Sequence, residues 1–265
     1  MPSAPRPGSP VTYASYLKLD ELLSLQQPGP EHDETLFIVI HQVYELWFKE
    51  LLHELDYLQQ LLRANDRSRA LHTFKRTLTI LKVLVAQIDI LETMTPLEFL
   101  TFRDRLESGS GFQSFQFRAL EFALGKKSQE AIGRYPDGSP ARRLLEARYA
   151  QPGLWDAFLA CLARNDYAVP KALLERDPTQ PIEPSPELQR VLVDVHRRDP
   201  IMTQLCERLV DLDEGFQEWR YRHVKMVERT IGTKRGTGGS AGAEYLRTTL
   251  HQPAFPDLWA IRTEL

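Results

Sequence analysis

The stretch from Asp33 to Arg63 constrains this chain more than any other. Its apolar residues include Leu36, Phe37, Ile40, Val43, Tyr44, Trp47, Leu51, Leu55, Leu58 and Leu62. That is helical period held over roughly thirty residues, or about 45 Å of rod. A rod of that length with an apolar stripe buries the stripe against other rods. The rest of the chain reads the same way. A second helix is predicted from about Ser68 to Met94. "TPLEFLTFRDRL" restarts cleanly, with Thr95 as N-cap, Pro96 at the first helical position and Glu98 completing a capping box. After the turn "ESGSGFQ", "SFQFRALEFALG" forms a further helix that Gly125 closes.

From Lys126 to Pro186 the chain is choppier. "RYPDGSP" and "RDPTQPIEPSP" are loops, with short helices expected near 140–150, 153–164 and 170–176. Ser185-Pro186-Glu187 starts another helix. Asp199-Pro200 starts the last long one, which carries Ile201, Leu205, Leu209, Leu212, Phe216, Trp219, His223 and Met226 on one side and ends at Gly232. No internal repeat or long linker divides the chain. The expectation is an all-α fold, a bundle of long helices with shorter ones inserted, as one domain over 1–265 with a flexible tail at 1–12.

Bulk properties narrow the function. The net charge of -3 gives no electrostatic case for binding nucleic acid or an anionic membrane. The two cysteines, Cys161 and Cys206, lie in apolar helical contexts and read as core thiols. The first residues, "MPSAPRPGSPVT", lack the apolar core of a signal peptide. No apolar run reaches the roughly eighteen residues of a membrane span. The expected location is the reducing cytoplasm.

Of the seven histidines, His32, His72, His196 and His251 have polar neighbours and read as surface or loop residues. His53 pairs with Glu50 as Glu-x-x-His, but a di-iron bundle needs a second such pair, so His53 reads as a solvated side chain. His41 shares a helix face with Phe37, Tyr44 and Phe48. Spacing leaves it open between a core histidine satisfied by a hydrogen bond, the commoner arrangement, and a polar group in an apolar pocket. His223, among Trp219, Met226 and Val227, is open between a core histidine and a haem-iron ligand. "GTKRGTGGSAG" is no phosphate loop, because Thr237 stands where the Walker pattern needs a glycine. Its glycines allow close backbone approach to a ligand, and Thr237 supplies a hydroxyl. Phe99, Arg103 and Leu106 share a face at i, i+4, i+7. An arginine so flanked suits either a carboxylate clamp or a surface ion pair.

Four blocks carry a resemblance: "HDETLFIVIHQVYELWFKELLHEL", "LETMTPLEFLTFRDRL", "SGFQSFQFRALE" and "WRYRHVKMVERTIGTKRGTGGSAG". In that order they resemble the haem-dependent tryptophan 2,3-dioxygenases, over most of the chain and least between about 126 and 185. The resemblance implies an enzyme that inserts both atoms of O₂ into the indole C2–C3 bond of L-tryptophan, giving N-formyl-L-kynurenine. It implies haem b with His223 as axial iron ligand and Trp219 packed near the haem. Phe37 and His41 match the distal residues over the substrate, with His41 accepting the indole N–H. Arg103 matches the clamp on the substrate carboxylate. Phe99 and Leu106 match pocket walls, although Phe99 is Tyr in some bacterial members and lacks that hydroxyl here. Thr237 matches the loop threonine that contacts the amino-acid end. Tyr13 and Tyr16 match an N-terminal segment that reaches the active site of a neighbouring subunit, and the implied assembly is a homotetramer. The intact set His41, Arg103 and Thr237 argues against a non-catalytic haem or tryptophan sensor on the same fold, since a gas sensor needs no amino-acid clamp.

Overall fold

The computed structural model describes residues 10–237 and 243–265. Nine residues of the expected N-terminal tail, and positions 238–242 of the Gly/Ser loop, lie outside the described residues. Two short helices, α1 (Tyr13–Leu17) and α2 (Leu19–Leu23), lead into the long helix α3 (His32–Arg63). Next come α4 (Arg67–Leu91), α5 (Pro96–Phe102), a 3₁₀ turn at Arg103–Leu106, and α6 (Phe115–Ala123). The middle region holds α7 (Gln129–Gly133), α8 (Pro140–Ala150), α9 (Leu154–Arg164) and α10 (Lys171–Leu174). The chain closes with α11 (Pro186–Arg198), the long helix α12 (Pro200–Ile231), α13 (Ala243–Thr248) and α14 (Pro256–Ala260). Among the described residues there is no strand, so the expected all-α class holds. No described helix is long and apolar enough to cross a membrane.

The helix boundaries follow local chemistry. Asp66 caps α4 by accepting the Arg69 N–H at 3.0 Å. Thr95 and Glu98 form the capping box at the start of α5, with Pro96 just inside. Ser114 caps α6 through the Phe117 N–H. Asp199 caps α12 by accepting the N–H groups of Ile201 and Met202. Gly125 and Gly232 follow α6 and α12 at φ +91° and +59°, which a side chain would resist.

α4 packs along both α3 and α12 and so sits between them. α9 covers another side of α3, placing Trp155, Phe158 and Leu162 in the core. The choppy region is therefore an insertion that seals the bundle. Lys127 braces it, its ammonium donating to the carbonyls of Arg148 at 3.0 Å, Tyr149 at 2.8 Å, and Gln151. One expectation fails here. His196 is not a surface residue: its imidazole is only 8% exposed, between the Leu192 carbonyl and the Glu207 carboxylate of α12. Its polar sequence neighbours point elsewhere.

The C-terminal segment is locked by one buried carboxylate. Asp213 Oδ2 accepts the backbone N–H of Ala254 at 2.8 Å and of Phe255 at 3.2 Å, and the indole N–H of Trp259 at 2.9 Å. Replacing it strands buried donors, each costing roughly 1–3 kcal/mol. Asp213→Ala is expected to destabilise the protein by about 2–5 kcal/mol, read as a lower urea midpoint at unchanged slope.

Candidate active site

A cavity of about 240 Å³ opens between α3, α5, α6 and α12. One water needs about 10–15 Å³ on the same measure, so this space suits a large ligand. α3 contributes Phe37, His41, Tyr44 and Phe48, which the helical period puts on one face. α12 contributes Trp219, His223, Met226 and Val227 from the opposite wall. Phe99, Arg103, Leu106 and Thr237 also line it.

The two histidines are held differently. His41 Nδ1 lies 2.6 Å from the carbonyl oxygen of Phe37. A carbonyl only accepts, so Nδ1 carries the proton and Nε2 of the neutral ring is left as an acceptor. Burial lowers the basicity of His41, against the smaller opposing effects of the Phe37 carbonyl and the Glu45 carboxylate. The Phe37 ring lies against it, centroids 4.1 Å apart. His223 makes no hydrogen bond among the described residues. Its ring stacks on Trp219 at 5.0 Å and 12°. Burial pushes its pKa down to about 4, helped by His41, Arg220 and Arg118. Near neutral pH its nitrogen lone pair is therefore free to bind a metal.

The walls are aromatic. Trp219 packs against Phe117 at 4.8 Å, and Phe117 stacks on Phe216 at 5.5 Å. Phe37, Phe99 and Phe102 form a smaller cluster with Met94, Leu36, Leu106 and Ile231. Such walls suit a flat apolar group and exclude water.

Arg103 and Thr237 form one polar part of the lining, while Arg118 and Arg220 lie beside Phe117. Arg103 is half-buried, with Nη2 donating to the Arg235 carbonyl at 2.6 Å. Among the described residues it has no carboxylate partner. The Thr237 hydroxyl donates to the Gly109 carbonyl, which ties the 232–237 segment to the loop before α6. The expected shared helix face of Phe99, Arg103 and Leu106 needs correction. α5 stops at Phe102, and Arg103 and Leu106 ride on the 3₁₀ turn. The three still line one cavity, because the turn carries the chain on around its rim.

Tyr13 and Tyr16 stand apart. Both lie on α1, 77% exposed, and neither lines the cavity. Conversely, Phe117, Arg118, Ser110, Arg220, Leu246 and Thr249 line it without having been singled out from sequence. Phe117, Arg118 and Arg220 sit in ordinary amphipathic helix, and only the fold turns them inward. His53, as read, is exposed.

The sequence pattern of the family described as tryptophan 2,3-dioxygenase matches residues 4–154 and 188–265. The chain belongs to the tryptophan 2,3-dioxygenase family. It is 62% identical over 258 residues to the tryptophan 2,3-dioxygenase of Herpetosiphon aurantiacus, covering 96% of this chain and 98% of that protein. It is 58% identical to the tryptophan 2,3-dioxygenase of Anaeromyxobacter sp. (strain K), with 96% of each chain covered. The enzyme of that name from Caulobacter vibrioides is 46% identical over 260 residues, 96% of this chain and 98% of its own. The unmatched interval of the family pattern, 155–187, spans nearly all of α9, then α10 and the loops that lead to the start of α11.

Proposed function

We propose that the chain is a haem-dependent tryptophan 2,3-dioxygenase that converts L-tryptophan and O₂ to N-formyl-L-kynurenine, the first step of tryptophan catabolism by the kynurenine pathway. The observation that carries the reading is the convergence of two neutral imidazoles, one from α3 and one from α12, on an apolar cavity that Arg103 also lines. Family membership supplies the reaction.

The residues present fit haem b. His223 offers an imidazole free of hydrogen bonds among the described residues, kept neutral by burial and set in orientation by its stack on Trp219. It would be the protein ligand that holds the haem iron. Phe117, Met226 and Trp219 offer the apolar slot. When bound, ferrous haem supplies the site at which O₂ is taken up and activated toward the indole.

The protein's own part is positioning. Nε2 of His41 accepts the indole N–H, because Nδ1 is already committed to the Phe37 carbonyl. Phe37, Phe99 and Leu106 wall the ring and keep water out. Arg103 exchanges the Arg235 carbonyl for the substrate carboxylate, a charge-assisted and stronger bond. Thr237 turns its hydroxyl to the ammonium and carboxylate end. Both oxygen atoms enter the product, so no external reductant is consumed per turnover.

The proposed assembly is a homotetramer in which Tyr13 and Tyr16 reach a neighbouring subunit's site. The exposure of Val11, Tyr13, Tyr16, Leu17, Leu23 and Leu25 on the N-terminal segment supports it, since apolar side chains so grouped seek cover. The chain is read as one unit over 1–265, on the strength of a core that runs from α3 to α14. The proposed compartment is the cytoplasm, where the buried free thiols Cys161 and Cys206 stay reduced.

The direct test is anaerobic reduction of the haem-loaded protein, then L-tryptophan and air. Absorbance of N-formylkynurenine is expected, and its absence overturns the reading. His223→Ala is expected to leave a helical protein that loses most of its haem, read from the Soret band. Full haem content with an unchanged spectrum would remove His223 as ligand. Arg103→Ala is expected to cost roughly 2–4 kcal/mol, lowering kcat/KM for L-tryptophan by about one and a half to three orders of magnitude. His41→Ala is expected to lose about one hydrogen bond, roughly ten- to thirty-fold, rather than all turnover. That variant should also discriminate less between L-tryptophan and its 1-methyl analogue, whose methyl group meets His41 Nε2. An unchanged preference would place His41 elsewhere than at the indole nitrogen.

A further inference from the structure

The turn that carries Arg103 has little rigidity of its own. Arg103–Leu106 is a single 3₁₀ turn of four residues, a geometry with poor internal hydrogen bonds. It ends at Glu107 with φ +46°, which disfavours a non-glycine residue. Its orientation is therefore set by what its side chains grip. Leu106 packs on the cluster of Met94, Phe99 and Phe102, which Leu36 and Phe37 of α3 also cover. Arg105 reaches the same helix through an ion pair, Nη1 lying 3.1 Å from Glu34 Oε2.

Glu34 sits in the first turn of α3, three residues before Phe37, and its side chain is 8% exposed. The same Oε2 accepts the backbone N–H of Gly29 at 2.6 Å. Gly29 lies between Pro28 and Pro30, and the Arg105 guanidinium occupies the space beside it. A Cβ there would fall 1.3 Å from Arg105 Nη1. An exposed ion pair contributes little. Here the carboxylate is buried, so leaving it unpartnered is costly and the contact is persistent.

We propose that Glu34, acting through Arg105, is a positioning residue for Arg103. It fixes the 3₁₀ turn against α3, so that the carboxylate clamp keeps its distance from Phe37 and His41. The inference rests on the functional reading above. One rigid helix then sets both ends of the bound amino acid: His41 for the indole, and Glu34, two turns earlier, for the support of the clamp. The Gly29 contact brings the segment that precedes α3 to the same buried charge.

The test is steady-state kinetics of the haem-loaded protein with Arg105→Leu, Arg105→Lys and Gly29→Ala, alone and combined with Arg103→Ala. Arg105→Leu is expected to raise KM for L-tryptophan about tenfold with kcat within about threefold, and Arg105→Lys to recover part of the loss. Gly29→Ala displaces the guanidinium with every charge retained, so it should raise KM in the same way even if Arg105→Leu fails to fold. In the Arg103→Ala background, each change is expected to alter kcat/KM by less than about twofold, because the group being positioned is gone. A KM within about twofold of the parent for Arg105→Leu and Gly29→Ala overturns the proposal. So does an undiminished loss in the Arg103→Ala background, which marks a general structural effect. A parent protein that forms no N-formylkynurenine overturns the functional reading itself, a result distinct from an active parent with indifferent variants.

Discussion

The rest of the structure depends on the packing around Trp219. Its indole meets Tyr44 and Phe48 from α3, Phe117 from α6, and Phe216 and His223 from its own helix. α4 separates much of α3 from α12, so this aromatic seam is where side chains of the two long helices meet. It closes one end of the cavity and fixes the plane of His223. Aromatic pairs each contribute roughly 0.5–1.5 kcal/mol beyond their buried area, and a seam of several holds the wall rigid. A metal ligand needs that rigidity, since a freely rotating imidazole would spend part of its binding energy on ordering.

Burial has a second consequence. Each imidazole loses its solvation inside the cavity, and both become weaker bases. The neutral form suits both proposed tasks, because a protonated ring neither binds iron nor accepts an indole N–H. The backbone then divides the labour. The Phe37 carbonyl commits one nitrogen of His41 and leaves one acceptor. At His223 no comparable partner exists among the described residues, and stacking does the orienting.

Much of this was legible in the sequence because it is written in period and caps. The long helices, the capping box at Thr95, the closing glycines and the face shared by Phe37, His41, Tyr44 and Phe48 all depend on residues within a few positions of one another. What was not legible depends on distant partners. The change from α5 to a 3₁₀ turn after Phe102 leaves no mark in the apolar spacing. His196 reads as surface because its partner Glu207 lies eleven residues away, on another helix. Glu34 and Arg105 look like ordinary solvated charges, and only tertiary packing buries the carboxylate. The roles of His41 and His223 were open from spacing alone and became specific through resemblance. The family match then bears on the reaction, while the cavity shows which of those residues meet. Tyr13 and Tyr16 do not meet it within one chain, because the site they match belongs to another subunit in the proposed assembly.

The cavity is built from two kinds of structure, and the proposed chemistry uses the difference. Helices supply the walls, so the flat apolar space is present before anything binds. The amino-acid end is supplied by a 3₁₀ turn and two loops, held together by the bonds from Arg103 to the Arg235 carbonyl and from Thr237 to the Gly109 carbonyl. Those bonds use the donors that the substrate would claim. Binding therefore exchanges hydrogen bonds at nearly constant number, and the exchange of a neutral acceptor nets little. Replacing a carbonyl by a carboxylate does gain, since charge-assisted bonds are roughly twice as strong. An indole without an amino-acid end would have to leave the internal bonds in place or break them without return. In the proposed reading, preference for the whole amino acid follows from the charge-assisted bond gained at Arg103, while the apolar walls supply the affinity for the ring.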